Sequence, residues 1–196
     1  MVEWRGLLLF IHLMSTLAMA APLYMLIIVN ERARFGAPLS YFTDRYLENI
    51  IRNNAVRCFV FQGTMLASGL GLVYVTGRSW SSLVTAPTLV IKWVALLLLM
   101  GLLSYIHFSV QPRIESLVNQ LKPEGPAPQG LGSQIVPLRL RRKRLSAFCF
   151  FLVLTALLMG LRVTFDYSIY LALLFVVVAA LYAWRAYRRP LLLGWI

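Results

Sequence analysis

Five stretches of this chain are apolar over lengths that match a lipid bilayer, and this feature limits the possible folds more than any other. A hydrocarbon core about 30 Å thick takes about 20 consecutive apolar residues in helical form. Residues 6–29, 56–76, 89–110 and 147–164 meet that requirement, and residues 169–184 form a shorter fifth run. Hydrocarbon offers the backbone no hydrogen-bonding partner, so each run has to satisfy its own N–H and C=O groups as a helix. With 60% hydrophobic and 13% charged residues, the chain is far from the roughly half apolar, quarter charged balance of soluble domains. The expected fold is an all-α integral membrane helical bundle with five transmembrane helices, a single transmembrane domain over residues 1–196.

The net charge of +12 gains meaning from where it lies. If all five runs cross, Arg5, Arg78, Lys92 and Arg162 are on one side and the rest of the nineteen basic residues are on the other. Excess Lys and Arg mark the cytoplasmic side. The N-terminus is therefore expected outside and the C-terminus in the cytoplasm, as in a bacterial-type inner membrane. Basic charge next to membrane spans attracts anionic cytoplasmic headgroups, which makes the bilayer the expected partner and excludes nucleic acid; subunits of a larger membrane complex are further possible partners. Ala18-Met19-Ala20 imitates a signal-peptidase site, but the apolar run continues through Leu23, Leu26 and Val29, so an uncleaved helix is expected.

The connections carry less information. In residues 40–55, Phe42, Tyr46 and Ile50, with Leu47 and Ile51, recur at helical spacing, while Asp44, Arg45, Glu48 and Arg52 fill the other faces. This predicts a cytoplasmic interfacial helix lying among the headgroups. Residues 111–145 read as a long cytoplasmic basic loop, broken by Pro112, Pro123, Pro126 and Pro128 and closed by the run 139–144. Arg162 and Asp166 flank a tight outer turn. Cys58 and Cys149 have no metal or redox spacing and read as buried free thiols. Gly63, Ala67 and Gly71, four residues apart, predict close helix packing or a flat surface for a macrocycle.

Chemistry is concentrated in the first span. His12, Ser15, Thr16 and Met19 recur at three- and four-residue steps and therefore share one helix face, which should point into the bundle. Lys92, about one turn into the third span, is either a snorkelling cation or a functional charge facing the interior. At about 1.5 Å per residue, His12 lies about 9 Å and Lys92 about 5 Å below the outer ends of their helices, so the two can share a site. His107 lies about 27 Å along the third helix and cannot join His12 on one metal. A separate inner-side site at His107 would draw on Met25 or Gln62. The sequence has no HExxH motif, no carboxylate pair within a span and no phosphate-binding glycine loop, which argues against hydrolases and nucleotide-driven enzymes.

The segments Phe10-Ile11-His12-Leu13, Gly69-Leu70-Gly71 and Thr85-Ala86-Pro87-Thr88-Leu89-Val90-Ile91-Lys92-Trp93 resemble small polytopic membrane proteins of the CopD copper-resistance type and the HemJ-type protoporphyrinogen oxidases. The resemblance covers about residues 4–118. It implies a b-type haem associated with His12 and Lys92; with the helix faces read above, His12 is the expected iron ligand, Ser15, Thr16, Met19 and Gly71 are the expected cofactor-binding neighbours, and electron transfer or porphyrin oxidation is the expected chemistry. The chain lacks an acidic-residue-plus-proline motif at its fourth helix and adds a fifth. Two other functions remain open: a non-catalytic structural subunit, and copper handling through His12, Met14, Met19 and Met25.

Overall fold

The computed structural model describes residues 2–34, 38–165 and 167–189, and within them the chain is all helical. The elements are α1 (Val2–Glu31), α2 (Tyr41–Val75), a single turn α3 (Ser82–Thr85), α4 (Pro87–Tyr105), a π-helical segment (Ile106–Val110), α5 (Gln111–Val118), α6 (Leu131–Phe165) and α7 (Ile169–Arg188). Among the described residues, five helical stretches are long and apolar enough to cross a membrane, the third being the continuous run Pro87–Val118. This is a multi-pass membrane bundle. Asp166, expected beside Arg162 at the outer turn, lies outside the described residues.

α1 packs along both α2 and α6, while α4 and α7 pack on α6. The main core lies where these faces meet and includes Met19, Leu23, Leu26, Met65, Leu99, Leu103, Val153 and Ala156. Cys58 and Cys149 belong to it as buried free thiols.

Two connections differ from expectation. No interfacial helix lies apart from the second span, because residues 41–75 form one helix of 35 residues, about 52 Å long at 1.5 Å per residue. That exceeds the hydrocarbon thickness, so α2 projects beyond it. Its expected apolar face is divided, with Phe42 and Tyr46 exposed and Ile51 buried, and the polar Asp44 and Glu48 are buried as well.

The expected loop over 111–145 is instead α5, a short coil, and the first turns of α6. Pro112 starts a helix well because its missing N–H falls in the first turn. Its ring would crowd the carbonyl four residues back, and the preceding turn widens into the π segment. α6 also spans 35 residues, so it projects with α2 on the same side. There Val110, Ile114, Val118, Leu121, Leu131 and Ile135 form a second apolar cluster. This side is called the basic end below.

α2 stops at Gly77, whose φ is +64°. The Gly77 amide donates to the Tyr74 carbonyl and the Arg78 amide to the Val73 carbonyl, a Schellman closure. A Cβ at Gly77 would meet nothing within 4 Å, so only the left-handed backbone penalises a side chain there. Gly77→Ala is expected to lower stability by about 1–2 kcal/mol, measured by thermal unfolding in detergent.

Candidate functional site

The polar face of α1 turns inward: His12, Ser15, Thr16 and Met19 are all buried. Thr16 Oγ1 donates to the His12 carbonyl at 2.8 Å, satisfying its hydroxyl within the helix. The imidazole reaches across to α2. His12 Nδ1 lies 3.0 Å from the Met65 carbonyl and 3.1 Å from Ser68 Oγ. Ser68 Oγ has its proton directed to the Thr64 carbonyl at 2.7 Å, and a carbonyl only accepts. Nδ1 therefore carries the hydrogen, and in a neutral ring Nε2 carries the lone pair.

That nitrogen faces α4, where Lys92 Nζ lies 3.5 Å away. Lys92 thus faces the bundle instead of snorkelling to the rim, and four helices meet at the two side chains. Bare backbone makes room for them. A Cβ at Gly69 would come within 3.2 Å of His12 Cε1, and one at Gly160 within 3.4 Å of Lys92 Nζ.

His12, Thr16 and Lys92 line a cavity of about 170 Å³ between α1, α2, α4 and α6. Leu9, Leu13, Leu72, Trp93, Leu96 and Val163 give it apolar walls. Arg5 and Arg78 join Lys92 as cationic lining, with no carboxylate among the lining residues. The cavity therefore suits an apolar body that carries negative charge or a metal with an open coordination position.

Other expected members are elsewhere. Ser15 and Met19 are buried but do not line the cavity. A Cβ at Gly71 would meet the Leu8 side chain at 3.3 Å, leaving Gly69 as the glycine against His12. Gly63 and Ala67 are exposed, so of the small-residue ridge only Gly71 lies against another helix of this chain. Met14 and Met25 are exposed, so the methionines do not gather around His12 as a copper site.

His107, on the π segment, stands edge-on to the Phe59 and Phe108 rings. Its Nδ1 and both amide atoms of Gln62 are buried without a hydrogen-bond partner among the described residues. His107 and Gln62 are therefore not joined, and no group of three or more His, Cys, Asp or Glu side chains is arranged for a metal among the described residues.

At the basic end lies a buried ionic cluster that the basic run 139–144 had suggested would face lipid. Helical spacing divides that run: Arg139, Arg142 and Lys143 are buried, while Arg141 and Arg144 are exposed. Arg139 contacts Asp44 Oδ1 at 2.6 Å and Glu48 Oε1 at 2.9 Å. Arg142 contacts Glu48 Oε2 at 2.6 Å, donates to Asn30 Oδ1 at 2.9 Å and also bonds Gln111. Lys143 pairs with Glu31 at 2.6 Å and donates to the Arg189 carbonyl. The matching signal in the sequence is an acidic pair four residues apart, 44 and 48, opposite basic residues three and four apart. Arg5 and Arg78 were also missed as cavity residues, since both read simply as outer-side charge.

No family model, no curated protein and no solved structure matches the chain.

Proposed function

We propose that this chain is a multi-pass protein of a bacterial-type cytoplasmic membrane, with its N-terminus outside and C-terminus inside, that binds a b-type haem in the outer half of its bundle. The observation that carries this reading is His12, held by the Met65 carbonyl and Ser68 so that Nε2 faces the cavity. Metal-ligating histidines commonly donate their other ring N–H to a carbonyl in this way, which fixes the tautomer and raises ligand basicity.

The donor set fits the group. Nε2 supplies an imidazole lone pair, the leucine and Trp93 walls suit a macrocycle, and Arg5, Arg78 and Lys92 suit propionates. Lys92 Nζ is also close enough to Nε2 to be a second ligand in place of a propionate partner. The volume of about 170 Å³ is below the about 300–1,000 Å³ of most small-molecule sites, so occupancy requires the apolar walls to part and Lys92 to release Nε2. Bound haem would supply one-electron chemistry. His12 would hold the iron, the cations would hold the acidic edge and the walls would exclude water.

The test is a haem titration of the detergent-solubilised protein. Saturation at one haem per chain, with a Soret shift that indicates a nitrogen ligand, is expected; absence of saturable binding refutes the reading. A second reading is favoured by the same hydrogen bonds. Both imidazole nitrogens already have protein partners, as suits a structural subunit of a membrane complex in which His12 only ties helices together. It predicts no saturable haem binding.

A further inference from the structure

Four helices, α1, α2, α4 and α6, surround the His12 cavity, and they do not close on one another equally. α1 packs along α2 and α6, and α4 packs along α6, but α2 and α4 come together only sparsely. α7, the remaining span, packs on α6 and leaves the seam between α2 and α4 to the bilayer. The seam is pinned at the basic end, where the Phe59 and His107 rings meet edge-on with centroids 5.7 Å apart and Gln111 Nε2 donates to Glu48 Oε2 at 3.1 Å. Leu66 lies two turns beyond Phe59 on the same face of α2, and there the seam has widened into the cavity. Leu66 on α2 and Trp93 on α4 are its lips: both line the cavity and both are only partly buried, so they border the cavity and the outside at once.

We infer that the seam between α2 and α4 is the entrance of the His12 cavity, and that the ligand, a flat apolar body with an acidic edge, comes from the outer leaflet of the bilayer and not from water. This rests on the haem reading above and adds the source of the ligand. Charge placement decides between the routes. Arg5 and Arg78 lie at the outer end of the cavity, with the leucine and Trp93 walls deeper. An amphiphile in the outer leaflet has the same order, its carboxylates among the headgroups and its body among the acyl chains. Moving sideways between α2 and α4 keeps the carboxylates at headgroup depth throughout and takes no charge into hydrocarbon, where its burial is costly. End-on entry from water would push the apolar body first past both guanidinium groups and past Leu83 of the α3 turn. The walls have to part to admit a macrocycle, and this seam has the least packing to lose.

The test ties the seam shut. The full chain carrying Leu66→Cys and Trp93→Cys is tethered with bifunctional methanethiosulfonates of graded length, and mass spectrometry identifies links within one chain. Haemin uptake is followed by the Soret band in phosphatidylcholine vesicles, and release by transfer to excess apomyoglobin. The tether should slow both by about 10-fold or more, within the range over which on-rates vary among versions of one site, and cleaving it with a phosphine reductant should restore both. Haem bound before tethering should keep its spectrum. Val73→Cys/Leu89→Cys, a second pair of cavity-lining residues on the same two helices, should behave alike, and the reagents should leave the native chain unaffected, since Cys58 and Cys149 are fully buried. Equal rates in tethered and cleaved protein overturn the proposal, because the ligand then enters at the outer end. Loss of bound haem on tethering also overturns it, since the lips are then part of the site and not its entrance. So does failure of both pairs to link within one chain, or linkage between two chains, in which case a second copy covers the seam. Absence of haemin binding by the native chain in detergent refutes the haem reading itself, and the entry route with it.

Discussion

Arg142→Ala is expected to destabilise the protein by about 3–5 kcal/mol, the range for removing one partner of a buried ion pair. Arg142 is fully buried and is the hub of the basic end, where it bonds Glu48, Asn30 and Gln111 at once. Without it, Glu48 keeps Arg139, but Asn30 Oδ1 and Gln111 Oε1 lose a donor in a site that water does not reach. These partners come from α1, α2 and α5, so the loss loosens several helix contacts together. Chemical or thermal unfolding in detergent measures it, with Arg144→Ala as the exposed comparison, expected within about 0.5 kcal/mol of wild type. Because the two groups share one network, adding Glu48→Gln to Arg142→Ala should cost less than the sum of the single changes. An Arg142→Ala variant as stable as Arg144→Ala would remove the cluster's structural role.

The second large effect is expected at His12. His12→Ala removes the ring nitrogen that faces the cavity and should eliminate saturable haem binding. External imidazole should restore part of it, because the variant leaves space where the ring stood. Ser68→Ala leaves the Met65 carbonyl as partner for Nδ1 and removes only supporting geometry, so a loss of about 10-fold is expected, the low end for partners of a metal ligand. Under the structural-subunit reading, both variants would change only the unfolding midpoint. Haem titrations and unfolding curves on the same samples separate the two readings.

The architecture was legible because bilayer thickness sets the length of each apolar run. The five spans follow from that length, and the shared depth of His12 and Lys92 follows from a constant rise along helices that start at the same interface. Rotation about the helix axis was less legible. Small residues four apart pointed to Gly71, but two residues along a helix turn the face by about 200°, and Gly69 is the glycine at His12. Spacing along one helix does not say which neighbour each face meets.

The ionic cluster was hidden for a different reason. Residues 139–144 read as a uniform basic block when counted along the chain, yet helix geometry sends Arg139, Arg142 and Lys143 one way and Arg141 and Arg144 the other. Their acidic partners are some 91–95 residues away for Arg139, and no local pattern connects such positions. The same pairing explains why Asp44 and Glu48 are buried while Phe42 and Tyr46 face outward. Tertiary ion pairing overrode the local apolar periodicity.

The central claim is that the His12 cavity holds haem, and the most direct test is the visible spectrum of the full chain purified in mild detergent from cells with ample haem supply. The account predicts a Soret band and reduced-state α and β bands of a b-type haem, at up to one haem per chain, missing from His12→Ala prepared in parallel. A folded, colourless wild-type protein would contradict it.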